Sequence, residues 1–138
     1  MPDDPSSALA AAALYTGLNA MILAWLSLSV SRLRVRERIS LGDAGNPRLA
    51  QAVRGHANFA ENAPTALILL FAAALMGAPA FVVHLLGLAL TVGRALHAWQ
   101  FLGPEGDMGW KRSAGALLTL LVIALGGLGV ALHALTEL

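Results

Sequence analysis

The sequence predicts an all-α fold, an integral membrane four-helix bundle made of one domain over residues 1–138. Three observations carry that prediction. Apolar residues make up 57% of the chain and charged residues 12%, about half the charge of an ordinary soluble domain. Four apolar runs, Ala8 to Ser31, Leu49 to Met76, Pro79 to Leu102 and Ser113 to Leu135, each reach the roughly 20 residues that a helix needs to cross a bilayer. Lys and Arg gather in alternate connections, as the positive-inside rule requires. A soluble bundle would show a polar outer stripe on every helix, and the fourth run has none.

Helix 1 is expected over about residues 8–31, with Ser7 as its N-cap. Tyr15 and Asn19 lie four apart and share a face. That spacing suits hydrogen bonds across a helix–helix contact. The N-terminus Met1-Pro2-Asp3-Asp4-Pro5 is acidic and the run behind it is long, so helix 1 reads as a retained span and not a cleaved signal. Arg32, Arg34, Arg36 and Arg38 follow and suit an anchor to membrane lipids at the headgroup level.

Ser40 to Asn46 forms the main loop, with Gly42, Asp43 and Gly45 as turn residues. Asn46-Pro47 reads as N-cap and first helical residue, and helix 2 covers about 47–76. Met76-Gly77-Ala78-Pro79 is a tight uncharged turn. Helix 3 covers about 79–102, and Gly103-Pro104-Glu105-Gly106-Asp107 breaks it. Helix 4 covers about 111–135 and contains Gly115, Gly126, Gly127 and Gly129, small residues that let helices approach closely in lipid. Trp25, Trp99 and Trp110 fall near the basic helix ends, where interfacial aromatics sit.

The loop after helix 1 holds Arg32, Arg34, Arg36, Arg38 and Arg48, and the loop after helix 3 holds Lys111 and Arg112. The opposite side has no Lys or Arg. Both termini are therefore expected on the outer side and the basic loops in the cytoplasm, in a bacterial inner membrane. The net charge of +1 gives no electrostatic footprint for nucleic acid. With no Cys in the chain, disulfides and a protein thiol nucleophile are excluded. His84 and His133 lack ligand spacing, so no metal site is expected.

The remaining basic residues, Arg54 and Arg94, lie inside helices 2 and 3. On a helical wheel with Arg54 at zero, Asn58 falls at about +40°, Glu61 at about −20°, Thr65 at about +20° and Gln51 at about +60°. Asn62 flanks this stripe at about +80°, and His56 points the other way, at about 200°. Pro64 follows, and it cannot donate to the carbonyl of Ala60. On helix 3, Arg94, His97 and Phe101 fall within about 60° of each other. Two readings fit. Glu61 pairs with Arg54 or Arg94 while Asn58 locks the helices, with no catalytic role. Alternatively the stripe lines a polar pocket, since ionisable groups inside a membrane span are functional candidates. Two arginines and a glutamate suit a zwitterion with two carboxylates and one amine, such as glutathione.

The pattern Arg54-x-x-x-Asn58-x-x-Glu61-x-x-Pro64, placed in the second of four spans after a basic loop, resembles the MAPEG family, the membrane-associated proteins of eicosanoid and glutathione metabolism, in a bacterial-type member. Arg94-x-x-His97 is similar to the family's Arg-x-x-Tyr segment. The resemblance implies a homotrimer with glutathione at the subunit interfaces. It implies that Arg54, Asn58 and Glu61 hold glutathione, with Asn62 beside them. His56 and Arg34 then reach glutathione from the neighbouring subunit, and Arg94 and His97 become the candidate catalytic pair. Asn62, His97 and Phe101 stand where eicosanoid-producing members have tyrosines. Gly103 to Met108 contains no basic residue where those members have an arginine near the thiol. The implied activity is a glutathione S-transferase or peroxidase acting on lipophilic electrophiles in the bilayer, the thiol being supplied by the cofactor. The alternative is a non-enzymatic membrane scaffold that keeps the fold.

Overall fold

The computed structural model describes residues 5–106 and 109–138. Asp107 and Met108, part of the connection before the last helix, lie outside the described residues, as do Met1 to Asp4. Four helices make up the chain: α1 (Pro5–Glu37), α2 (Pro47–Leu75), α3 (Ala80–Leu102) and α4 (Trp110–Thr136). All four are long and apolar enough to span a membrane. Mean hydropathy peaks at 2.4 in α4 and is lowest at 1.3 in α2, the helix with the polar stripe.

α1 is longer than its apolar run. It starts at Pro5, so Ser7 lies inside the first turn and is not the N-cap. It ends at Glu37, so Arg32, Arg34 and Arg36 project from the last helical turns and not from a loop. Arginine is a good helix former, and nothing between Ser31 and Glu37 breaks the backbone ladder. The break comes at Arg38, which adopts a left-handed φ of 55°. There the Ile39 N–H closes back on the Arg34 carbonyl at 3.0 Å, a Schellman ending that usually falls to glycine.

α2 is capped as its sequence predicts. The Asn46 side chain accepts from the Leu49 N–H at 2.9 Å, with Pro47 in the first turn. The far end closes at Gly77, φ 83°, where the Ala78 N–H reaches the Ala73 carbonyl at 2.9 Å. That geometry reverses the chain in a few residues and sets α3 antiparallel to α2.

α2 and α3 form the central pair. α1 packs on one side of them and α4 on the other, and α1 and α4 do not meet among the described residues. Glycines set the spacing between helices. The Tyr15 ring of α1 lies over Gly87 of α3, where any side chain would strike it. A Cβ at Gly115 of α4 would meet the Gly93 carbonyl of α3 and stand 2.9 Å from the His97 Cβ. Outside, Met21, Leu28, Ile68, Leu75, Phe81, Leu85 and Leu128 are exposed, the surface expected of a chain solvated by lipid.

Candidate functional site

The site is built at the α2–α3 seam, and its residues divide into an inner and an outer layer. The inner layer centres on Arg94, whose side chain is 1% exposed. Its Nη1 donates to Asn58 Oδ1 at 3.0 Å, and its Nη2 reaches the Gly115 carbonyl of α4 at 3.4 Å. Its Nε is buried with no partner among the described residues. A buried guanidinium of this kind joins α2, α3 and α4 by one side chain. His97, one turn on, is buried as well, and its ring stacks on Phe101 at 4.8 Å between centroids. Phe101 in turn packs over Gly55 of α2, which leaves room for no side chain there.

The outer layer is Arg54 and Glu61. Arg54 Nη1 lies 3.4 Å from Glu61 Oε1, and the two side chains are 64% and 52% exposed. Glu61 is the middle residue of α2, fourteen residues from Pro47 (61 − 47) and fourteen from Leu75 (75 − 61). That is about 21 Å from either helix end. An ionised carboxylate facing outward at that depth is costly in hydrocarbon. Its one partner among the described residues is Arg54, through a long, weakly held bond.

The polar stripe thus splits. Arg54, Glu61 and Thr65 are exposed, while Asn58 and Gln51 turn toward α3. Gln51 is more than a stripe member. Its Nε2 donates to the Phe101 carbonyl at 3.2 Å and the Pro104 carbonyl at 3.3 Å, and its Oε1 accepts from the Gly106 N–H at 3.1 Å. It latches the α3–α4 connection to the start of α2. Asn62 donates to the Asn58 carbonyl of its own helix at 2.9 Å. α2 runs unbroken through Pro64.

The other predicted residues lie elsewhere. His56, on the back of α2, meets Ser27 of α1 at 3.1 Å. Arg34 donates to the Gly42 carbonyl at 2.7 Å and so ties down the α1–α2 loop. The structure brings together Arg54 with Glu61, Asn58 with Arg94, and His97 with Phe101. It does not bring His56 or Arg34 to them within the chain. Gly115 escaped the sequence reading as an acceptor. It stands in the glycine-bearing helix 4, where small residues signal only close packing.

These residues sit in a recognisable frame. The sequence profile of the MAPEG family matches residues 12–132. The chain belongs to the MAPEG family. Among named relatives of this MAPEG protein are the Inner membrane protein YecN of Escherichia coli strain K12 and its counterpart in E. coli O6:H1 strain CFT073. Each is 37% identical over 101 residues, covering 73% of this chain and 76% of the relative. With its four membrane-length helices, the protein is a multi-pass inner membrane protein.

Proposed function

We propose that this MAPEG protein binds glutathione at the Arg54–Glu61 surface and uses it as a transferase or peroxidase toward apolar electrophiles dissolved in the bilayer. The observation that carries the reading is the outward-facing Arg54–Glu61 pair, whose carboxylate belongs to the middle residue of a membrane-length helix. Such a pair needs polar company from outside the chain. Glutathione offers carboxylates to Arg54 and an ammonium to Glu61. A second and third copy of the chain would cover what remains, and a homotrimer is the assembly we propose. In it, the Arg32–Arg48 side faces the cytoplasm. Asn58 and Arg94 hold the seam behind the pair, and Asn62 flanks it.

One feature favours a second reading. Arg94 and His97, candidate groups for stabilising a thiolate, are 1% and 4% exposed and turned into the bundle. A scaffold that retains the polar seam only for packing needs nothing more. Melting the purified protein with and without glutathione tests the proposal. A ligand that binds only the folded form raises Tm. A rise that vanishes in Arg54→Ala supports the site, and no rise in the parent protein supports the scaffold. Thiolate absorbance on adding glutathione, with conjugation of a generic electrophile, then separates catalysis from binding alone.

A further inference from the structure

A cavity of about 320 Å³ opens among α1, α2 and α3 at the basic end of the bundle. Its lining has two chemistries. Arg32 and Arg48 are exposed and have no partner among the described residues. Trp25, Leu33, Ala52 and Leu102 are apolar, and no acidic side chain lines the space. The two chemistries are ordered along the membrane normal. Trp25 precedes Arg32 by seven residues on α1 and Ala52 follows Arg48 by four on α2, which places the apolar floor about 10 Å and about 6 Å deeper than the two guanidinium groups' backbones. The cavity is therefore cationic at its rim and apolar within.

This is not the Arg54–Glu61 surface, although Phe101 of the inner layer also lines the cavity. Arg48 and Ala52 lie about 120° and 160° round α2 from Arg54, on the side that packs against α1. Nor are the arginines alike along the basic segment. Arg36 is paired with Glu37 at 2.9 Å and Arg34 is bonded to Gly42, whereas Arg32 and Arg48 are left facing one cavity. Two unpaired guanidinium groups over an apolar floor complement a phosphate carried on a hydrocarbon tail. Basic pockets between membrane helices hold anionic lipid headgroups in this way.

We propose that this cleft is a binding site for one anionic phospholipid, its phosphate between Arg32 and Arg48 and an acyl chain laid against Trp25, Ala52 and Leu102. Native mass spectrometry of the detergent-purified protein, titrated with phosphatidylglycerol or phosphatidylcholine, tests it. One phosphatidylglycerol should be retained per chain in preference to phosphatidylcholine. Arg32→Gln and Arg48→Gln should each weaken retention about tenfold. Arg36→Gln, on the same segment but outside the cleft, should leave it unchanged. Both cleft variants should melt as the parent does, since neither arginine holds a bond within the described chain. Equal loss in Arg36→Gln would mean diffuse attraction to a basic surface and would overturn the proposal. Equal retention of the two lipids would overturn it too. Displacement of the lipid by inorganic phosphate at low millimolar concentration would assign the site to a free anion instead. Displacement by glutathione would assign the cleft to the glutathione surface.

Discussion

Two polar layers cross this bundle, and they are built on opposite terms. The first joins α1 to α3 in the half of the bundle nearer the termini. Tyr15 Oη meets His84 Nδ1 at 3.1 Å, and Asn19 donates to Thr91 at 2.9 Å and to the Tyr15 carbonyl at 2.8 Å. Tyr15 and Asn19 are buried and bonded within the chain, although Asn19 Oδ1 has no partner among the described residues. The second layer joins α2 to α3, and only its inner half is treated that way. Asn58 and Arg94 bond to each other inside, while Arg54 and Glu61 are left facing out. Polar groups that close on themselves in lipid lock helices. Charged groups that stay open in the same environment require a ligand or another chain. The first layer explains packing and the second carries the functional proposal.

Substitutions sharpen that contrast, and the largest effect falls on the inner half of the second layer. Arg94→Ala should cost on the order of 3 kcal/mol, because it opens a cavity and leaves the Asn58 side-chain oxygen without its partner. Unfolding in a denaturing detergent titration measures it. If Arg94→Ala melts like the parent protein, the seam does not depend on this residue. Gly115→Val should follow, at about 1–3 kcal/mol of overpacking, since a side chain there meets α3 backbone. The same titration reads it. Loss of glutathione-dependent stabilisation would not by itself distinguish either change from unfolding.

The outer pair should behave in the opposite way. Arg54→Ala should cost the free protein less than Arg94→Ala, because it opens no buried cavity and removes only a 3.4 Å contact to Glu61, yet abolish the Tm rise with glutathione. A stability loss comparable to that of Arg94→Ala would erase the distinction between the two halves. The smallest effect belongs to the self-contained layer. Tyr15→Phe should cost about 0.6 kcal/mol, the usual worth of a hydrogen bond between membrane helices, and leave any glutathione response intact. A changed glutathione response in Tyr15→Phe would show that the layers are coupled.

Much of this molecule was legible without coordinates. Four spans, the Asn46-Pro47 start and the Gly77 turn follow from hydropathy and local backbone chemistry, which neighbouring residues settle among themselves. The family pattern in α2 was equally visible, because spacing on one helix is fixed by the helix itself. Harder to see was the end of α1. Loss of hydrophobicity at Ser31 marks the expected edge of the membrane, but the hydrogen-bond ladder runs on through the arginines to Glu37. Composition reports the solvent, and the backbone ends only where a residue such as Arg38 leaves helical φ.

The sequence by itself determined that Arg54, Asn58 and Glu61 share one face. Tertiary structure alone decided that this face is divided. α3 packs against its Asn58 and Gln51 edge and leaves the Arg54–Glu61 edge open. A wheel gives angles about one axis, and whether a residue is buried depends on where the next helix lies. The close α2–α3 approach at Gly55 and the α3–α4 approach at Gly115 set that position. They bury Arg94 with Asn58, and they leave the Arg54–Glu61 pair exposed on α2 for something outside the chain to meet.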